Sequence, residues 1–257
     1  MYPLRLILLT LFFCIPQAVE AGDIESHDKN QTIAVAASAC FKFNDFSTRI
    51  RDSRISRADA RHELPGRLEE VRTEYYRRGG QDYSPSDWIF PVAGYDAGTI
   101  GTGKNHGFIP QGYDYFSGNR HGGHPAYDIF IRDRNQDGID DRSGSAVSVL
   151  SMTGGIVVAL EKEWHRGSPL RGGKYIWVYD PANELLVYYA HNEKLFVETG
   201  TIVKPGDTLA TVGRSGLNAA KRRSPTHLHF SVFSVETGTP VPKPVFRELQ
   251  HARSAPA

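Results

Sequence analysis

The chain has 257 residues, which at roughly 100–200 residues per domain is enough for one large domain or two small ones. Hydrophobic residues make up 40% and charged residues 23%, enough apolar material for a packed core, so wholesale disorder is excluded. Lys and Arg number 30 against 29 Asp and Glu, and the resulting net charge of +1 excludes the broad basic footprint of a dedicated nucleic-acid binder.

The chain opens with Met1-Tyr2-Pro3-Leu4-Arg5, followed by an apolar run from Leu6 to Pro16 and by Gln17-Ala18-Val19-Glu20-Ala21 before Gly22. This pattern predicts a secretory signal peptide over residues 1–21, cut after Ala21, because the run is shorter than the ~20 residues of a bilayer span. The mature protein is then expected to be secreted or periplasmic. Cys14 lies inside the leader, leaving Cys40 as the only mature cysteine. A disulfide framework and a cysteine-based metal site are both excluded.

Residues 22–45 show no strong period and read as a linker or loosely packed arm. From Ser56 the chain reads as helical: Asp59 stands three residues after Ser56 as in a capping box, and Leu68, Val71 and Tyr75 fall at helical spacing. Pro65-Gly66 is expected to divide this stretch into two helices. Residues 22–87 thus form an N-terminal helical appendage to a domain over residues 88–257.

From Trp88 onward short apolar stretches alternate with turn residues, an all-β signature. The expected strands are Tyr127–Ile131, Ala146–Leu150, Gly155–Glu161, Tyr175–Asp180, Leu185–His191, Thr208–Val212 and His227–Phe233.

The histidines carry the chemical signal. On a strand His227 and His229 share one face, with Leu228 and Phe230 turned into the core. They stand roughly 7 Å apart at about 3.3 Å per residue, so one can bind a metal ion while the other works beside it. The same period puts His191 on the face of Val187 and Tyr189. His124 and Asp128 would be ~13 Å apart on a straight strand, too far for one ion. They can share one only if His124 lies on a turn folding back over the strand start, which Gly122-Gly123 makes accessible. Two imidazoles and a carboxylate suit Zn²⁺ and leave a fourth position open, the mark of a catalytic site.

The motifs His124-Pro-Ala-Tyr-Asp128, Tyr188-Tyr-Ala-His191 and Thr226-His-Leu-His-Phe230, in this order, resemble the M23 zinc metallopeptidases of the lysostaphin or LytM type, which cut peptide bonds in peptidoglycan. The resemblance runs from about Trp88 to about Phe233. It implies a mainly β fold, an antiparallel LytM/lysostaphin-like sheet. It further implies Zn²⁺ held by His124, Asp128 and His229, with His191 and His227 as catalytic residues and peptidoglycan as partner. Pro125-Ala126-Tyr127 departs from the Gly often found in the first motif, and His121 offers a rival ligand. A basic stretch, Asn218 to Arg223, also departs from the pattern. Alternatives are a non-catalytic LytM-like module that binds wall or activates another hydrolase, and a secreted zinc peptidase acting on proteins.

Three further features stand apart. Asp133, Asn135, Asp137 and Asp141, with Gly138, have the spacing of a Ca²⁺ loop, although position twelve is Gly144 instead of Glu; the competing reading is an acidic turn that hydrogen-bonds itself. Arg214 and Asn218 follow a strand end where a substrate carboxylate could be met. Asn105, His106, Asn119 and His121 are candidates to cover an open zinc position, which would make the N-terminal segment a latency device.

Overall fold

The structure is a computed structural model that describes residues 38–256. The expected leader and most of the arm lie outside the described residues.

The end of the arm is not loose. Residues Ala39–Arg51 form helix α1, with Cys40, Phe43, Phe46 and Ile50 buried along one stripe. Ser38 caps it by accepting the Cys40 N–H. Glu74, from the next helix, accepts the Ala39 N–H at 2.6 Å. The apolar spacing from Cys40 to Ile50, read together with the Ser38 cap, was the available sequence signal.

Helix α2 (Arg57–Arg77) starts as expected, with Ser56 accepting the Asp59 N–H. It runs unbroken through Pro65, against the expected division. Interior proline costs about 3 kcal/mol. Leu64, Leu68, Val71 and Tyr75 are each at most 6% exposed on one face. At about 1.5–3 kcal/mol per buried large apolar side chain, keeping that face in register outweighs the lost hydrogen bond.

The remainder is an antiparallel sheet built from β1 (Tyr127–Phe130), β2 (Ser148–Leu150), β3 (Gly155–Glu161), β4 (Lys174–Asp180), β5 (Leu185–Leu195), β6 (Ile202–Val203), β7 (Thr208–Val212), β8 (His227–Ser234) and β9 (Val241–Pro242). Its main path is β1-β8-β5-β4-β3-β6; β7 pairs with β2 and β5, and β9 with β8. The two-residue strands β6 and β9 are too short to leave a periodic signal. A short helix α3 (Phe246–His251) follows. No described helix is long and apolar enough to cross a membrane.

Strand alternation sorts side chains onto two faces. Ile176, Val178, Val187, Tyr189, Leu228, Phe230 and Val232 point to one, where they pack with Phe90, Val149 and Leu249. Tyr175, Trp177, Tyr179, Leu186, Ala190 and Phe233 point to the other, against the buried stripes of α1 and α2. The described residues, 38–256, form one compact unit.

Candidate metal centre

His229 lies on β8 on the same face as Phe233, the face that the helices partly cover. Asp128 of β1 pairs directly opposite His229, so strand register alone sets the carboxylate beside the imidazole. Asp128 Oδ1 stands 3.1 Å from His229 Nδ1.

His124 arrives as the turn argument requires. Its backbone forms a two-hydrogen-bond bridge with Ile109, and its Nε2 lies 3.3 Å from Asp128 Oδ1. The turn depends on Gly123, whose φ is +69°. A Cβ there would sit 2.7 Å from the Gln111 carbonyl oxygen and 2.8 Å from that of Ile109.

His191 reaches the cluster by an irregularity. Ala190 pairs with His229, so strict alternation would send His191 to the Val187 and Tyr189 face, as the sequence suggested. Instead, between the pairs Tyr189–Ile176 and Asn192–Lys174, β5 places two residues, Ala190 and His191, opposite the single Tyr175 of β4. This bulge gives His191 a left-handed φ of +67° and swings its ring onto the metal-site face. Its ring centroid lies 4.9 Å from that of His227 and 5.3 Å from that of His229. His227 and His229 share the face, as strand alternation predicts, and Leu228 and Phe230 are fully buried behind them.

Backbone carbonyls fix three of the rings. His124 Nδ1 faces the Gly107 oxygen at 2.8 Å, His191 Nδ1 that of Ser215 at 2.8 Å, and His227 Nδ1 that of Pro225 at 2.7 Å. Each Nδ1 therefore donates to its carbonyl, which leaves the Nε2 of His191 and of His227 clear of that contact, whereas the Nε2 of His124 faces Asp128 Oδ1. Burial disfavours the Asp128 carboxylate, but hydrogen bonds from His124 and His229 and the charge of the surrounding imidazoles outweigh it and hold its pKa well below the usual range. Burial pushes the pKa of His191 well down, and repulsion from His227 and His229 adds to this. Burial likewise lowers His229. For His124 the Asp128 hydrogen bond and charge overcome burial and raise it.

Among the described residues, His124, Asp128 and His229 are the one group of three that could hold a metal ion, with ligand atoms within 4.8 Å of one another. Two nitrogens and one carboxylate oxygen fit zinc, and a carbonyl behind His124 supplies the outer hydrogen bond that orients a ligand imidazole. Side chains of His124 and Asp128 keep 34% and 28% exposure, so the cluster opens to solvent on one side.

The other residues singled out in the sequence lie outside this group. His121 lines the same cleft but is not part of the group; its Nδ1 faces the Gly122 oxygen at 3.0 Å and its ring lies against Tyr113. Asn119 bonds the Pro169 oxygen and the Arg171 N–H, and His106 stacks on Phe246, so these side chains are engaged away from the metal cluster. Arg214 is not presented to a ligand. Its guanidinium donates to the carbonyls of Lys221 and Ser224 and the hydroxyl of Thr226, bracing the basic loop ahead of His227.

In the loop 133–141 the acidic side chains accept backbone N–H groups. Asp133 accepts from Asp137 and Gly138, Asp137 from Ile139, and Asp141 from Arg134. The amide of Asn135 donates to Asp137. Asp133 also accepts the buried Thr226 hydroxyl at 2.6 Å, tying this loop to the start of β8. These bonds are those of a turn that satisfies itself.

Residues 134–242 match the model of Peptidase family M23, a span that includes His191, His227 and His229. Among solved structures, a putative glycyl-glycine endopeptidase LytM from Ruminococcus gnavus is 31% identical, with 50% of this chain and 48% of that one covered and a TM-score of 0.37. The antimicrobial peptidase lysostaphin from Staphylococcus simulans is 22% identical over 50% and 45%, with a TM-score of 0.35. A zinc-containing peptidase from Vibrio cholerae is 22% identical over 63% and 39%, with a TM-score of 0.38. The chain spans about half the length of the first two and less of the third. No curated protein matches it.

Proposed function

We propose that this chain, whose residues 134–242 match peptidase family M23, is a member of that family and a secreted or periplasmic zinc-dependent endopeptidase hydrolysing peptide bonds in the cross-links or stems of peptidoglycan. The supporting observation is the convergence of His124 Nε2, Asp128 Oδ1 and His229 Nδ1 at one open position, with His191 and His227 beside it.

A zinc ion held there supplies a Lewis acid for the scissile carbonyl. His124, Asp128 and His229 are the proposed ligands, and strand register and the Gly107 carbonyl fix their orientation. His191 and His227 each donate Nδ1–H to a carbonyl, which leaves each Nε2 able to take a proton from water or return one to the leaving amine. The Ser215 and Pro225 carbonyls favour the ring orientation that this exchange needs. The hydroxyl of Thr226 and the guanidinium of Arg214 brace the backbone from which His227 projects.

The test is a digest of purified peptidoglycan by the mature protein, with and without a chelator and zinc restoration, with new peptide ends identified by mass spectrometry. New amine termini that vanish on chelation and return with zinc are expected. No new ends from a folded, zinc-loaded protein would overturn the wall-hydrolase reading. Cleavage of a denatured protein in place of wall would move the substrate to secreted proteins, and a folded protein that takes up no zinc would favour the wall-binding module.

A further inference from the structure

The sheet face that carries the metal cluster also carries α1, and where the two meet lies a second cavity of about 90 Å³. Aromatic side chains, among them Tyr113, Tyr188, Trp177 and Phe233, line it, and Ile50 of α1 closes one side. The cleft over the metal cluster measures about 240 Å³. His121, Arg171, Gly172, Tyr188 and His229 border both spaces, so these residues form the lip between them.

Arg171 is the cation on that lip. Its backbone is pinned by the Asn119 side chain, and one arm of its guanidinium donates to the His121 carbonyl. It forms no salt bridge with any carboxylate of the described residues, and its other N–H groups have no partner there. The neighbouring arginines are already engaged: Arg51 pairs with Asp52 and Glu161, and Arg214 is bonded to the loop before β8. The Tyr188 hydroxyl also has no hydrogen-bond partner among the described residues. The absence of a side chain at Gly172 gives it room, since a Cβ there would lie 2.0 Å from the Tyr188 oxygen. The remaining N–H groups of the Arg171 guanidinium and the Tyr188 phenol thus border the proposed reaction centre without a partner among the described residues. A carboxylate is the group whose geometry and charge match such a pair.

We infer that Arg171, assisted by the Tyr188 hydroxyl, binds a free carboxylate that the peptide substrate carries near the scissile bond. This rests on the peptidase reading above and narrows it. The substrate class is an acidic peptide strand, not an uncharged run of glycines, because the latter offers nothing to pair with the guanidinium. Arg171 is a specificity-determining residue, outside the proton transfers assigned to His191 and His227.

The test compares purified peptidoglycan with the same material whose free carboxyls have been converted to carboxamides by carbodiimide and ammonia. The zinc-loaded full chain is expected to cut the amidated wall at least tenfold more slowly at low substrate, through KM more than kcat. Arg171→Met is expected to cut both forms at the slow rate, and Arg171→Lys to recover part of the preference. Binding of soluble stem peptides, free-acid and amidated, to the metal-free protein is measured alongside by calorimetry. The free-acid form should bind more tightly to the parent and equally to Arg171→Met, with circular dichroism verifying that the variant is folded. Equal cutting and equal binding of the two forms by the parent would overturn the inference while leaving the endopeptidase reading intact. Absence of cutting in either form would overturn the endopeptidase reading, and the calorimetric preference would still decide the role of Arg171.

Discussion

Gly216 stands so close to His191 that a Cβ on it would lie 2.8 Å from the imidazole Nδ1, and 2.4 Å from the Arg171 carbonyl oxygen. Its φ of +114° is itself a conformation that side chains resist. The ring of His191 is thus held between the Ser215 carbonyl and a glycine that cannot be filled. Gly216→Ala is expected to displace the imidazole and lower the hydrolytic rate by about 10²-fold, the order of one misplaced acid–base group. Zinc content, measured on the purified variant, should be unchanged.

The two classes of histidine should separate by metal content. His124→Ala and His229→Ala are expected to lose both zinc and hydrolysis, each leaving only two ligands of the proposed set. His191→Ala should keep zinc and the fold while losing about 10²–10⁴-fold in rate. Atomic absorption and the peptidoglycan digest on the same samples check this; hydrolysis retained in all three variants would remove the site as drawn.

Asp180 sets a pH dependence of stability distant from the catalytic chemistry. It is 2% exposed, and burial raises its pKa to about 6 despite hydrogen bonds from Asn183 and Ala182. Below about pH 4 both native and unfolded chains hold the proton. Between about 4 and 6 the unfolded chain releases it while the native chain retains it, so stability falls as pH rises, by up to about 3 kcal/mol, and stays lowered above that window. Urea midpoints of the parent and of Asp180→Asn across pH 4–7 should differ by this slope, the variant lacking it.

Cys40 should be silent to thiol reagents in the native protein. It is fully buried, and burial, reinforced by the Glu74 charge, raises its pKa to about 12. Glu74→Ala would leave the Ala39 N–H and the Ser38 hydroxyl without their acceptor at the start of α1, at a cost of about 1–3 kcal/mol. Labelling of Cys40 is therefore expected to be slow in the parent and faster in Glu74→Ala, measured by reagent uptake at constant pH.

The helices support the site loop instead of standing apart from it. A Cβ on Gly118, in the turn leading to His121 and His124, would meet the Ile50 carbonyl oxygen of α1 at 2.3 Å. Gly118→Ala should lower hydrolysis, measured by the same digest, by lifting that turn from α1. A rise in rate would instead indicate that the contact restrains the enzyme.

What the sequence determined by itself was whatever depends on a short-range period. The core strands from Tyr127 to Phe233 followed from alternation, which also placed His227 and His229 on one face with Leu228 and Phe230 behind them. The Ser56 cap and the turn carrying His124 were legible in the same way, from a side chain that accepts a nearby N–H and from glycines that allow a close backbone approach. Tertiary structure decided what local pattern leaves open. It kept α2 straight through Pro65, because one buried face outweighs one lost hydrogen bond. It turned His191 onto the metal-site face through a bulge whose extra residue is counted only against the neighbouring strand. It engaged Arg214 with carbonyls and left Arg171 without a carboxylate partner among the described residues, since the partner of a long charged side chain is fixed by which loops meet, and no spacing along the chain records that.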